Sequence, residues 1–320
     1  MPGASLKGVP SIAVMKFLIT LLFVSVNVLS LAAAAELPPL VHQIAPGVYY
    51  RQSEDEKRII ATTSWIEFKD FVVVIDANFP WGAKAILTDL KATTSKPVRF
   101  VFDTHYHADH SYGNGVFAEA GATILSSEMT AEDSRARNAA AWEKDTGVGE
   151  QSLKQYSLVH PQLTFKDSVA ISDGSRRLEL IRVGPGHTRG DGVAWLPAER
   201  IVFTGDLCTT RAQNNLADAG MSPDGWLQIL DRLAGMNPAI VVPGHGREGT
   251  VDALKGQRAY LAAVFDGVKA GIEKGASENE IYNQIDWSKY KPWSDDEKRN
   301  HVAVAAVYKK FSSMSGTTSK

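Results

Sequence analysis

The sequence is poor in cysteine and has no excess of positive charge. Cys208 is the only cysteine among 320 residues, so no intrachain disulfide can form. The 34 Lys and Arg residues are balanced by 36 Asp and Glu residues, which leaves a net charge of −2 and no basic stripe for nucleic acid. No low-complexity linker or solenoid period divides the chain. Its stability must therefore come from a hydrophobic core, and 44% of its residues are apolar.

One long apolar run is present, and it lies near the N-terminus. Lys16 precedes a mostly apolar stretch at 17–31, and four alanines follow at 32–35. A charged start, an apolar centre and small residues at the end are the pattern of a secretory signal peptide. A membrane anchor is less favoured, because the run is shorter than the ~20 apolar residues that a span needs.

This pattern predicts two segments, a signal peptide at 1–35 and a mature domain at 36–320. Either Met1 or Met15 can be the true start of the signal. We expect the mature protein to be periplasmic or secreted, and not bound to the membrane once the signal is removed. The sequence does not indicate its oligomeric state.

Strands and helices alternate along the mature chain. The run at 72–75 is continuously apolar, as expected of a strand that is buried on both faces. The segment 129–144 is rich in Ala, Glu and Arg, and therefore predicts one helix. A second helix is predicted from Ser222 to about Gly235, and others at 251–275 and 300–312. The order indicates one layered α/β domain with helices at its C-terminal end.

The most informative stretch is His-Tyr-His-Ala-Asp-His at 105–110, which follows a predicted strand at 97–102. Imidazole and carboxylate groups are ligands that zinc accepts at about 2.0–2.2 Å. Four such residues within six positions cannot easily all reach one ion without strain. The stretch therefore predicts two ions side by side.

Three later places repeat the sequence of an apolar strand, a turn and a ligand-type side chain. They end in His187, Asp206 and His245, and each turn contains glycine, which allows close approach of the backbone. Five of the eight histidines thus lie at predicted strand ends, where a rigid scaffold usually presents a site. The other three are interpreted as ordinary hydrogen-bonded side chains: His42, His160 and His301.

This combination resembles the metallo-β-lactamase superfamily. The matching features are His-x-His-x-Asp-His at 105–110, then His187, Asp206 in Thr-Gly-Asp, and His245 in Pro-Gly-His-Gly. The resemblance covers roughly residues 41–249. It implies a four-layer αββα sandwich with the metals at one edge, followed here by the C-terminal helices.

The resemblance also implies two Zn²⁺ ions per chain and a role for each ligand. The first zinc would be held by His105, His107 and His187, the second by Asp109, His110 and His245, with Asp206 bridging them. Zinc lowers the pKa of bound water to about 7, so a hydroxide nucleophile is available at neutral pH. Asp109 is the candidate catalytic residue, which would orient the hydroxide and accept its proton.

Several residues outside this set are weaker candidates. Asp76 and Thr104 could fix an imidazole tautomer, or could equally make ordinary hydrogen bonds at strand ends. Arg189 and Arg211 follow ligand loops and could bind a substrate carboxylate, or could be solvated surface charges. The aromatic side chains that could form an apolar wall, or could instead belong to the core or its rim, are Phe79, Trp81, Tyr106, Tyr112 and Trp142.

The resemblance leaves the substrate open. Two subclasses of metallo-β-lactamase use a cysteine ligand near the position of Asp206, but Cys208 lies two residues further on and is interpreted as a buried small hydrophobe. The favoured function is an exported dinuclear zinc hydrolase that attacks a small carbonyl substrate, with a β-lactam-type amide slightly ahead. Alternatives are a thioesterase or lactonase of glyoxalase II type, an iron persulfide dioxygenase, and a non-catalytic metal-carrying partner of an exported redox system.

Overall fold

A computed structural model describes residues 1–4, 37–54, 60–144, 152–210 and 215–315. The chain divides into two units, Met1–Glu36 and Leu37–Lys320. Beyond its first four residues, the predicted signal peptide lies outside the described residues, and all elements named below belong to the second unit. Within the described part of the chain, no helix combines the length and apolar character needed to cross a membrane.

In the described part of the chain the first sheet has seven strands, which lie in sequence order. They are β1 (Val41–Ala45), β2 (Val48–Arg51), β3 (Thr63–Glu67), β4 (Val72–Ile75), β5 (Val98–Phe102), β6 (Thr123–Ser127) and β7 (Leu163–Phe165). Strands β1 to β4 pair antiparallel, whereas β4 to β7 pair parallel. The parallel half therefore directs the carboxyl ends of β4, β5 and β6 to one edge.

The second sheet, as far as the structure describes the chain, has five strands in the order β12-β11-β10-β9-β8. They are β8 (Ser168–Ser172), β9 (Arg177–Arg182), β10 (Gly192–Leu196), β11 (Ile201–Phe203) and β12 (Ile240–Val242). The pair β11 and β12 is parallel, with Phe203 beside Val242 at their carboxyl ends. The loops that follow these two strands therefore begin side by side.

Nine α-helices are seen among the described residues. They are α1 (Pro80–Thr93), α2 (Ala108–Ser111), α3 (Asn114–Glu119), α4 (Glu128–Asp133), α5 (Ala139–Glu143), α6 (Pro223–Gly235), α7 (Val251–Glu273), α8 (Glu278–Gln284) and α9 (Glu297–Ser315). Short 3₁₀ turns occupy Gly205–Leu207 and Trp287–Tyr290. Ser222 caps α6 by accepting a hydrogen bond from the Gly225 amide, as the sequence predicts.

Three apolar layers hold the elements together. The middle layer lies between the sheets, where Val73 and Phe102 of the first sheet share a core with Ala194 and Phe203 of the second. An outer layer packs α1 and α3 on the first sheet, and another packs α6, α7 and α9 on the second. This arrangement confirms the predicted four-layer αββα sandwich with C-terminal helices.

Two helical details differ from expectation. The helix predicted at 129–144 is interrupted by a π-helical turn at Ser134–Asn138. That turn places the side-chain nitrogen Nδ2 of Asn138 2.7 Å from the Tyr106 carbonyl oxygen, to which it donates. Helix propensity does not encode this tertiary contact. Helix α8 was not predicted, although Ser277 and Glu280 form a capping box at its start.

Candidate metal centre

All seven predicted ligands lie together where the strands end. Among the described residues, three sets of three side chains have ligand atoms that all lie within 4.8 Å of one another. The first is His105, His107 and His187, called here the histidine half-site. The second is Asp109, His110 and His245, called the aspartate half-site. The third joins the two half-sites through His105, His110 and Asp206.

Asp206 lies between the two half-sites. Its Oδ1 atom is 3.2 Å from Nε2 of His110 and 3.2 Å from Nε2 of His245. Its Oδ2 atom is 3.7 Å from Nε2 of His187. One carboxylate oxygen therefore faces each half-site, which is the arrangement needed to bridge two cations.

Two pairs of ligand atoms have the spacing expected around a tetrahedral metal ion such as zinc. Zinc–nitrogen bonds of about 2.0–2.1 Å place neighbouring tetrahedral ligands roughly 3.3 Å apart. His187 Nε2 lies 3.1 Å from His107 Nδ1, and His245 Nε2 lies 3.3 Å from Asp109 Oδ2. The Nε2 atoms of His105 and His110 are buried and make no hydrogen bond within the described part of the chain. These residues fit a pair of metal ions.

Two glycines allow the ligand loops to approach each other. Gly205 has a φ angle of +51°, and a β-carbon at this position would collide with the Thr104 side chain. At Gly244, a β-carbon would collide with the Asp206 carboxylate. The Thr-Gly-Asp and Pro-Gly-His-Gly turns therefore need these glycines to bring Asp206 next to His245.

Hydrogen bonds orient the imidazoles of the aspartate half-site. His110 Nδ1 lies 2.7 Å from Asp76 Oδ2, and the same carboxylate accepts a hydrogen bond from the Thr104 amide at 2.8 Å. His245 Nδ1 donates to the Ile60 carbonyl oxygen at 3.0 Å. Both contacts leave Nε2 directed at the metal position. Asp76 therefore makes the contact with an imidazole that the sequence indicated as one of its two possible roles.

The histidine half-site is oriented differently. Thr104 Oγ1 lies 3.1 Å from His105 Nδ1. His107 Nε2 lies 3.2 Å from Asp218 Oδ2, which leaves Nδ1 of His107 facing His187. The Tyr106 hydroxyl also donates to Asp218. Asp218 was not identified from the sequence, because it lies in a loop with no ligand motif around it.

The two half-sites differ in charge in the metal-free protein. Burial lowers the pKa of His187 to about 3, and the neighbouring His107 contributes to the shift. Burial also acts to lower the pKa of His245, but the carboxylates of Asp206 and Asp109 outweigh it and raise that pKa to about 9. The pKa of His110 is likewise raised, because Asp76 and Asp109 outweigh its burial.

The carboxylates show the complementary shift. Burial acts to raise the pKa of Asp109, but His110 and His245 hold it below its usual range. Asp206 behaves in the same way, since His245 and His110 outweigh its burial. Both aspartates are therefore ionised at neutral pH and can balance the charge of bound cations.

The weaker candidates have more ordinary surroundings. Arg189 is paired with Glu132 at 2.9 Å and with Asp133 at 3.1 Å, so its guanidinium is already engaged. Arg211 lies outside the described residues. Cys208 is fully buried and its thiol contacts the Thr209 carbonyl oxygen, in agreement with its interpretation as a small hydrophobe.

The aromatic candidates are mostly internal. Phe79, Trp81 and Tyr112 form a buried cluster with Leu153, and Trp142 packs at its margin. The fifth aromatic candidate, Tyr106, is 8% exposed.

The three remaining histidines make contacts away from the metal centre. His42 stacks on Tyr50, His160 contacts Ser134, and His301 stacks on Tyr282.

Curated relatives of the chain include enzymes of several activities. It is 26% identical over 156 residues to a metallo-beta-lactamase type 2 of Bacteroides fragilis, covering 47% of this chain and 54% of that protein. It is 28% identical over 187 residues to the 2,4-dinitroanisole O-demethylase subunit alpha of a Nocardioides species, covering 56% and 51%. A linear primary-alkylsulfatase of a Pseudomonas species is 21% identical over 265 residues, covering 69% and 49%. The chain thus spans about half the length of these three relatives.

The chain also resembles solved structures and a protein-family model. A metallo-beta-lactamase from Pontibacter korlensis superposes with a TM-score of 0.56 at 24% identity, over 69% of this chain and 97% of that one. A stereoselective inverting sec-alkylsulfatase from a Pseudomonas species gives a TM-score of 0.66 at 16% identity, over 85% and 50%. These likenesses concern the fold. The model described as "Metallo-beta-lactamase superfamily" matches residues 58–245, and the chain belongs to this superfamily.

Proposed function

We propose that the protein is a metal-dependent hydrolase that uses two zinc ions. The observation that carries the proposal is the position of Asp206, with one carboxylate oxygen facing each half-site. Each half-site contributes three further ligand-type side chains. The intact set of seven favours two ions over one, since a mononuclear site would leave buried imidazole nitrogens without a partner.

When bound, the zinc pair would supply a hydroxide nucleophile at neutral pH and polarise the electrophile that it attacks. Asp109 is the most exposed of the seven ligands, with 23% of its side chain accessible, followed by His107 at 17% and His245 at 11%. These three mark the open side of the centre, from which a substrate would approach. Asp109 is ionised, and so can orient the nucleophile and accept its proton.

The proposed substrate is a small carbonyl compound, with a β-lactam-type amide as the first candidate. Relatives named as metallo-beta-lactamases support this choice. A thioester or lactone, the substrates of the glyoxalase II type, would be attacked by the same nucleophile and is therefore included in the test. A sulfate ester is a second candidate, because the alkylsulfatase relative covers 69% of this chain.

A hydrolysis panel on the zinc-loaded protein 36–320 tests the proposal. The panel contains β-lactams, lactones, carboxylic esters, thioesters and alkyl sulfates, each with and without a chelator. We expect chelator-sensitive hydrolysis of at least one class, and its loss in Asp109→Asn. Failure to hydrolyse any class while two zinc ions are bound would instead favour a non-catalytic metal-carrying partner of a redox system.

Metal analysis distinguishes the hydrolase from the remaining alternative, an iron persulfide dioxygenase. A persulfide dioxygenase of this superfamily holds one iron with two histidines and one aspartate. Two zinc ions per chain would support the hydrolase, whereas one iron per chain, with oxygen consumption on a persulfide, would replace it. The measurement is elemental analysis of the protein purified without added metal.

We further propose that the protein is exported to the periplasm or secreted, with cleavage near Ala35. The support is the order of Lys16, the apolar run at 17–31 and the alanines at 32–35. The N-terminal mass of the protein recovered from the producing cell tests this. A mature chain that begins near Glu36 agrees with export, whereas a retained residue 1 or 15 contradicts it.

A further inference from the structure

A short segment after Asp206 joins the two ligand loops of the second sheet. Thr209 forms an isolated β-bridge with His245. The neighbouring Thr210 amide donates to the His245 carbonyl oxygen at 3.0 Å. The Gly244 amide contacts the Gly205 and Cys208 carbonyl oxygens at 2.9 and 3.1 Å. The position of Asp206 relative to His245 therefore depends on this segment.

Residues from the C-terminal part of the chain hold Thr209 in place. Its amide and its hydroxyl both donate to Oε1 of Gln257, at 3.1 and 3.0 Å. Its carbonyl oxygen accepts a hydrogen bond from the Trp293 indole nitrogen at 2.6 Å. Thr209 and Gln257 are both fully buried, so water does not compete for these contacts.

The two residues that hold Thr209 lie next to each other in the structure. Gln257 lies on α7, and the Trp293 ring rests against Gly256, the preceding residue of the same helix. Any side chain at Gly256 would collide with that ring. Both residues also lie beyond His245, where the match to the family model ends.

We propose that Gln257 and Trp293 are positioning residues that form a C-terminal clamp on Thr209. The clamp fixes the Asp206 loop against the His245 loop, and so sets the geometry of the aspartate half-site from outside the matched family region. This inference rests on the proposed function for its consequence in zinc binding. The mechanical part of the inference, that the clamp holds the two loops together, concerns the metal-free protein and does not depend on the proposed function.

Hydrogen exchange on the metal-free full chain tests the mechanical part. Trp293→Phe removes the indole donor to Thr209 together with the outer part of the ring system. We expect exchange in segments 205–210 and 243–247 to become about fivefold faster, the effect of losing one buried hydrogen bond. The matched control is Trp287→Phe, which removes a comparable indole donor to the Tyr282 carbonyl at 3.1 Å in the same region. The control should leave both segments unchanged.

A second variant tests the clamp without removing the indole nitrogen. Gly256→Ala displaces the Trp293 ring without changing its chemistry, and should accelerate exchange in the same two segments. Equal exchange in Trp293→Phe and the parent, or equal acceleration by Trp287→Phe, would overturn the clamp.

Zinc competition with a chelator tests the consequence. We expect Trp293→Phe to bind one of two zinc ions about tenfold more weakly than Trp287→Phe does, at the lower end of effects seen for residues behind metal ligands. Unchanged zinc affinity with accelerated exchange would contradict a role in the metal centre. A parent protein that binds fewer than two zinc ions would count against the proposed function, whereas the clamp is judged by exchange.

Discussion

The histidine half-site contains imidazoles alone, whereas the aspartate half-site combines two imidazoles with Asp109. In the metal-free protein burial keeps His105 and His187 of the first set neutral, because it lowers the pKa of both imidazoles. The second set carries protonated His110 and His245 beside ionised carboxylates. Similar ligands at the ends of strands of one sandwich thus acquire opposite protonation states.

For His110 and His187, the position of the nearby carboxylates, and not burial, decides which imidazole is charged. His110 and His187 are equally buried, but Asp76 and Asp109 lie against His110 only. Asp109 of the aspartate half-site is also the most exposed of the seven ligands, at 23%. We therefore assign metal retention mainly to the histidine half-site and proton handling to the aspartate half-site.

The largest expected effect comes from Asp109→Asn. Asparagine keeps a ligand oxygen and the side-chain volume but cannot accept the proton, so kcat should fall about 10³-fold. The measurement is steady-state hydrolysis of the best substrate found, together with zinc content. If the histidine half-site is mainly responsible for metal retention, its zinc ion should stay bound in this variant. Activity within tenfold of the parent would remove Asp109 from proton transfer.

Changing pH should sharpen the difference in the metal-free protein. The pKa of His245 is about 9 when folded and about 6.5 when unfolded. A raised histidine pKa contributes stability fully below pH 6.5, and that contribution is lost as the pH rises through 9. Chelator-treated protein should therefore lose about 3 kcal/mol of unfolding free energy across this window.

Denaturant unfolding at several pH values measures this loss, and His245→Gln provides the control. The variant should show a flatter profile between pH 6.5 and 9 because glutamine does not titrate. Identical slopes for parent and variant would show that His245 does not carry the raised pKa.

Separate changes behind each half-site should weaken zinc binding separately. Asp218→Asn removes the carboxylate behind His107, and Asp76→Asn removes the one behind His110. Asparagine tolerates the positive φ of 62° at residue 76. Each change should lower zinc affinity about 10- to 100-fold at one half-site only.

Chelator competition on the two single variants and the double variant checks this prediction. Independent half-sites predict that the single variants affect different zinc ions and that the two losses add in the double variant. Loss of the same ion in both single variants would mean that the centre responds as one unit.

The ligands and the sandwich could be predicted from the sequence, because both leave local signals. Apolar strands, glycine turns and histidines repeat at 105–110 and again at His187 and His245. The groups that orient the imidazoles leave no such signal. Asp218 reaches His107 from a distant loop, and the Ile60 carbonyl that contacts His245 is a backbone atom. Such contacts are set by tertiary packing and by no local pattern.

The smallest expected effect is that of Cys208→Ala. The thiol is fully buried, burial raises its pKa, and it contacts the Thr209 carbonyl oxygen instead of either half-site. Removing one buried atom should cost about 1 kcal/mol of unfolding free energy. Zinc content and kcat should be unchanged, because both half-sites are complete without sulfur. If the variant instead lost one zinc ion, the aspartate half-site would have to include the Cys208 thiolate as a ligand. The two half-sites would then differ in having or lacking a sulfur ligand.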